Sequence, residues 1–182
     1  MENKLEVLHT IELDMKKLTM ASLWQTIILS VIGVILYFLL NGLHISLSLS
    51  GFFLFLLFYV VLIILHEFFH LLGFWVYGKV PWKSMDYGVN LSLGVAYATT
   101  TVPIPNKAMK KALLLPFWVT GVIPMLLGYI DHSLTLVILG AWLIAGAAGD
   151  FAMYKELKKF PNDILIKDHP TEPKLYIIKK VN

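Results

Sequence analysis

The sequence predicts a mainly α-helical, polytopic membrane protein. About four transmembrane helices are expected, with a short β-strand or hairpin segment between the second and third and small cytosolic strands at the two ends. Three observations carry this. Of 182 residues, 58% are hydrophobic and 15% charged, and the mean hydropathy is +0.73, well away from a soluble domain with a large core. The apolar residues gather in four runs of about 20, the length that crosses roughly 30 Å of hydrocarbon. Every basic residue is Lys, and all of them fall in residues 1–18, 78–111 and 155–182.

Residues 1–18 alternate apolar and polar side chains from Leu5 to Leu13, a period of two that suggests a short strand, with a frayed tail as the alternative. No cleavable signal peptide is expected, because a full-length span follows directly. Span one runs from about residue 20 to 40 and stops at Asn41-Gly42. The connector 42–50 carries no Lys. Span two, about 52–77, ends at Gly78-Lys79-Val80-Pro81. Residues 84–105 alternate bulky (Tyr87, Val89, Leu91, Leu93, Val95, Tyr97) with small or polar, so one or two strands are expected, bending between Asn90 and Gly94 and ending at Pro103 and Pro105. An open strand edge cannot face lipid, so this segment must be buried in protein or line a watery cleft. Span three, about 112–130, contains Pro116 and Pro124 and should be kinked. Asp131-His132-Ser133 makes a tight polar turn. Span four, about 134–154, includes the small-residue run Ala145-Gly146-Ala147-Ala148-Gly149, which allows close helix packing. In the tail, 164–166 and 175–178 are short strand candidates that can pair with each other or with the N-terminal strand.

The chemistry sits in span two, in Leu65-His66-Glu67-Phe68-Phe69-His70-Leu71. Three polar residues clustered in a membrane-length apolar run are costly and are there for function by default. The pattern is H-E-x-x-H. On a helix it sets His66 and His70 one turn apart on one face, able to reach one metal, with Glu67 beside them to take a proton from water. Gly73 follows on the same face and leaves room for a ligand or another helix. A chance motif or a structural polar cluster is the competing account. Since the chain has no Cys, disulfides and thiolate ligands are excluded and a metal must use His and carboxylate.

The Lys distribution sets the orientation. By the positive-inside rule both termini and residues 78–111 are cytosolic, and 42–50 and 131–133 are outside. From Phe52 the two His then lie roughly 21–27 Å into span two, and from Leu134 Asp150 lies roughly 24 Å into span four. The three share a depth in the cytosolic third. Asp150 is therefore the third ligand of choice, completing two His and one carboxylate with water in the fourth position, as in catalytic zinc sites. Its alternative is a helix-end charge paired with Lys155 or Lys158. Among rivals, His44, Asp131 and His132 lie on the outer side, Asp168 and His169 in the tail, and Glu156 and Asp86 nearer the cytosolic face. The net charge of +3 and the scattered Lys give no nucleic-acid stripe.

With His66-Glu67-Phe68-Phe69-His70 in one span, Leu115-Pro116 near the start of the third, and Gly149-Asp150 followed by a polar tail with Asp168 and Tyr176-Ile177-Ile178, the chain resembles the DUF3267 family of bacterial zincin-type peptidases. It is similar in plan to the site-2 protease class of intramembrane zinc metalloproteases, although those carry Asp-Gly where Asp150 here precedes Phe151. The resemblance implies a cytosolic segment 1–18, a membrane metalloprotease core 19–154 and a cytosolic tail 155–182, in a bacterial cytoplasmic membrane. It implies Zn²⁺ on His66, His70 and Asp150, Glu67 as catalytic base, and a membrane-spanning or membrane-associated protein or peptide as substrate. The strand segment 84–105 would hold an unwound substrate by strand addition. Two other functions compete: a non-catalytic membrane protein that binds metal or a partner on the protease fold, and a transporter subunit with a His–Glu proton relay, disfavoured by so few spans and no repeat.

Overall fold

The structure is a computed structural model that describes residues 4–43, 48–91, 94–170 and 172–181. His44, the middle of the 42–50 connector and two residues of the expected bend, 92–93, lie outside the described residues. Among the described residues, four helices are long and apolar enough to cross a membrane: Met15–Asn41 (α1), Leu49–Gly78 (α2), Asn106–Ile130 and Leu134–Leu157. Each overruns its apolar run. Lys16 and Lys17 open α1 and Lys107, Lys110 and Lys111 lie in the third, since a helix continues wherever its backbone bonds are met.

The third helix is not uniform. It comprises Asn106–Pro116 (α3), a π-helical stretch Phe117–Val122, and Ile123–Ile130 (α4). The expected distortion at Pro116 thus takes the form of a wide turn rather than a simple kink. The fourth is also divided, into Leu134–Gly146 (α5) and Ala148–Leu157 (α6), with Ala147 leaving helical geometry at ψ 9°. An unbroken span was expected there. The break puts Asp150 in the first turn of α6, where the helix dipole favours a carboxylate.

Internal packing divides the chain into two compact units. One comprises residues 15–66 and 116–148. Here α5 is the central helix, with Val137, Leu139, Ala141 and Leu143 buried. Gly140 has no room for more: a Cβ there would lie 2.6 Å from the backbone N of Met125 and 2.7 Å from the carbonyl of Gly121. Polar bonds pin the helices: Ser22 Oγ donates to the Ala145 carbonyl at 3.0 Å, Trp142 Nε1 to Ser30 Oγ at 3.2 Å, and Tyr37 OH to the His132 carbonyl at 2.7 Å. The outward faces of α1 and α2 are apolar, with Ile28, Ile35, Phe53, Leu57 and Ile64 all exposed.

The other unit comprises residues 1–14, 67–115 and 149–182. The alternating terminal segments form an antiparallel sheet in the order β1-β6-β5-β4, with β1 Lys4–Glu12, β4 Ile104–Pro105, β5 Leu165–Asp168 and β6 Lys174–Val181. Both expected pairings of the tail strands occur, with each other and with the N-terminal strand. Residues 84–105 contain the hairpin Met85–Asn90 (β2) and Val95–Thr100 (β3), in register from Met85 opposite Thr100 to Asn90 opposite Val95, and Gly94 supplies a positive φ of 65° at its turn. The sheet and helices share a core that includes Ile11, Phe74, Ile104, Met109, Leu157 and Ile177. Asn106 fastens α3 to the end of α6. Its buried Nδ2 faces the carbonyls of Leu157, Phe160 and Pro161 at 2.9–3.0 Å, satisfying acceptors that the end of a helix leaves open.

Candidate metal centre

One helix supplies the centre's first three groups. Side chains four apart on α2 stand over one another, and the ligand atoms of His66, Glu67 and His70 lie within 4.8 Å of one another. Both imidazoles are buried, His66 at 8% and His70 at 6% exposure. The three could hold a metal ion.

The ring nitrogens are assigned by their partners. His70 Nδ1 lies 3.1 Å from the Ala112 carbonyl, which can only accept, so Nδ1 carries the proton there. His66 Nδ1 lies 3.2 Å from Thr120 Oγ1. That hydroxyl donates its single hydrogen to the Pro116 carbonyl at 2.8 Å, so it accepts from His66 Nδ1–H. Each histidine therefore offers Nε2 as a lone pair, the tautomer a metal needs.

His70 Nε2 faces Asp150 Oδ1 at 3.3 Å. With Nδ1 protonated, these are two acceptors in contact, a repulsive arrangement unless a cation lies between them. A proton would serve, and so would a metal. Two tetrahedral zinc ligands, each about 2.0–2.1 Å from the ion, stand about 3.3–3.4 Å apart. The donor types thus fit zinc in chemistry, and the His70–Asp150 pair fits it in spacing. Asp150 comes from α6, and its side chain is 16% exposed.

The sequence model of the DUF3267 family, described as "Putative zincin peptidase", matches residues 59–165, more than half of the chain. The chain belongs to the DUF3267 family. That description supports a metallopeptidase with zinc as its metal. No match was found among curated proteins or among solved structures.

Among the described residues of this DUF3267 protein, several of the rival acids and histidines have partners of their own. Asp86 Oδ1 accepts from its neighbour's Tyr87 N–H at 2.9 Å, and Glu156 pairs with Lys159 at 2.6 Å on the surface. Asp131 and His132 form the turn before α5. His169 Nδ1 accepts from the Glu172 N–H at 3.0 Å.

Asp168, placed among the rival ligands of the tail, is different. It does not trail in a loose tail: it ends β5, its Oδ2 accepts the Thr100 N–H at 3.1 Å, and it lies in the field of His70. A signal was present in the strand period, because Ile166 and Asp168 share a face and Ile166 is fully buried. Burial pushes the Asp168 carboxyl up to about 7, against the Thr100 N–H and His70, which both pull it down. An unfolded Asp titrates near 4. The folded state thus holds this proton more tightly. The stability it contributes is complete below about pH 4 and is lost as pH rises through about 7. Thermal unfolding in detergent should fall in midpoint between pH 5 and 8, and Asp168→Asn should flatten that slope. An unchanged slope in the variant would contradict the assignment.

Proposed function

We propose that this chain is an intramembrane zinc endopeptidase, cutting membrane-embedded protein or peptide substrates near the cytosolic face. The observation that carries the reading is His70 Nε2 set against Asp150 Oδ1 at 3.3 Å, beside a Glu on a helix of membrane length. His66, His70 and Asp150 would hold the zinc. Once bound, zinc supplies Lewis acidity toward a water and the scissile carbonyl. Glu67, half-buried and one residue from His66, takes a proton from the attacking water and delivers it to the departing amine. One C–N bond breaks, one C–O bond forms, and one water is consumed. A substrate helix must unwind before it reacts, and the hairpin offers strand edges on which an unwound segment can be held.

Insertion is supported by the four apolar helices and the apolar outward faces of α1 and α2. Orientation is supported by the Lys segregation, with both termini cytosolic. The chain has no native Cys, so single introduced cysteines report directly. One at residue 132 should react with an impermeant reagent added outside intact cells, and one at residue 160 should not; the reverse would invert the topology.

The zinc assignment is tested by metal analysis of the purified protein. About one zinc per chain is expected. Asp150→Asn should weaken binding by more than the roughly 10–100-fold that loss of an outer-shell partner costs. Glu156→Gln and Asp86→Asn should bind as the parent does. Full affinity in Asp150→Asn would remove it from the ligand set.

A further inference from the structure

We propose that Pro116 is the positioning residue for both histidines, acting through Ala112 on one and through Thr120 on the other. The inference rests on the zinc reading of the centre. It begins in backbone chemistry. In an α-helix each carbonyl accepts from the N–H four residues on, and the residue four on from Ala112 is Pro116, which has no N–H. Ala112 is fully buried, so water cannot replace the missing donor. A buried carbonyl left unpaired is costly. His70 Nδ1–H fills the vacancy at 3.1 Å. Gly73 makes the approach possible, since a Cβ there would stand 2.7 Å from Ala112 Cα.

The second arm lies beyond the proline. After Pro116 the helix widens, and the Ile123 N–H reaches back five residues to the Trp118 carbonyl. Thr120 sits inside this stretch, 1% exposed, with its hydroxyl hydrogen committed to the Pro116 carbonyl. Its oxygen is thereby fixed as an acceptor toward His66 Nδ1 at 3.2 Å. One residue without an N–H thus frees one acceptor for His70 and, through its own carbonyl, orients a second for His66. Both rings are thereby held through Nδ1, which leaves Nε2 as the atom that can take a metal.

The test uses the full chain in detergent and the variants Pro116→Ala, Thr120→Val and Thr120→Ser. Zinc affinity is read by competition with a chelator, and ring protonation by ¹⁵N-histidine NMR of the metal-free protein at a pH where the rings are neutral. Pro116→Ala supplies the N–H that competes for the Ala112 carbonyl. It should bind zinc about 10–100-fold more weakly while unfolding at the same temperature or higher, because Ala suits a helix interior better than Pro. Thr120→Val should lose about as much affinity, and Thr120→Ser should stay within about twofold of the parent, since only the hydroxyl matters. The parent should show Nδ1–H at both histidines, and Thr120→Val should lose it at His66 alone. Parental affinity in both Pro116→Ala and Thr120→Val, or a loss in Thr120→Ser equal to that in Thr120→Val, overturns the proposal. Should Pro116→Ala fail to fold, the Thr120 pair decides. A parent chain that binds no zinc would overturn the function proposed above, and the NMR spectra would still decide this inference: Nδ1–H at both rings sustains it, and an unprotonated Nδ1 at either sinks it.

Discussion

Replacing His70 by alanine is expected to abolish stoichiometric zinc binding and all peptide-bond hydrolysis. His70 uses both ring nitrogens in the centre. Its Nδ1 meets the Ala112 carbonyl at 3.1 Å and its Nε2 meets Asp150 at 3.3 Å. The substitution removes one of only three proposed protein ligands, and tetrahedral catalytic sites have none to spare. It also leaves a buried carbonyl without a donor and a mostly buried carboxylate without its partner, each a cost to the fold. The measurement is zinc per chain after dialysis, with circular dichroism to confirm the helices. His169→Ala, which removes a ring bonded to the Glu172 N–H and set against Tyr176, is the control and should keep its metal. Zinc retained at parental affinity in His70→Ala would place the metal elsewhere.

Glu67→Gln should separate binding from chemistry. The amide keeps the size and reach of the carboxylate and loses its basicity. In the proposed mechanism Glu67 moves a proton and does not ligate, so zinc content should be unchanged. Proton transfer by a positioned side chain contributes typically 10²–10⁴-fold, and turnover should fall by at least about that factor. The two quantities must be read on the same preparation. Glu67 lies within ligand distance of both histidines, so loss of zinc in the variant would mean that it holds the metal as well. Zinc retained with no change in a cellular phenotype would favour a metal-binding protein without proteolytic activity.

Much of this arrangement is legible in the residues because it depends on short-range periods. The H-E-x-x-H spacing alone puts His66 and His70 on one face. Alternation in 84–105 and in the two termini announces strands, and the hairpin and the four-stranded sheet follow. The depth count rests on a constant rise of 1.5 Å per residue, and in the structure Asp150 lies 3.3 Å from His70 although the span is broken at Ala147. Three features are not legible for equally physical reasons. Proline announces a disturbance but not its form, and the π-helical turn at Phe117–Val122 depends on what Thr120 and Pro116 bond to. The break at Ala147 lies in the small-residue run Ala145-Gly146-Ala147-Ala148-Gly149, where alanine suits a helix and glycine weakens it, so composition alone does not say where α5 ends. Asp168 reads as part of a polar tail until β5 is placed between β4 and β6, and only then does its strand period turn it inward. The helix ends are the remaining difference. Hydropathy marks the apolar stretch, whereas α1 starts at Met15 and α3 at Asn106, each carrying lysines inside the helix.

The account stands most directly on whether the purified protein cuts a peptide bond inside a membrane-spanning segment in a zinc-dependent way. The measurement is cleavage of a single-span peptide reconstituted with the protein in liposomes, followed by mass analysis of the fragments. Three states of one preparation are compared: zinc-loaded, stripped by a chelator, and reloaded with zinc, with Glu67→Gln alongside. The account predicts cleavage toward the cytosolic third of the span when zinc is present, loss of it on stripping, recovery on reloading, and a rate lower by about 10²–10⁴-fold in the variant. Cleavage that persists undiminished after stripping, or at the parental rate in Glu67→Gln, would contradict it.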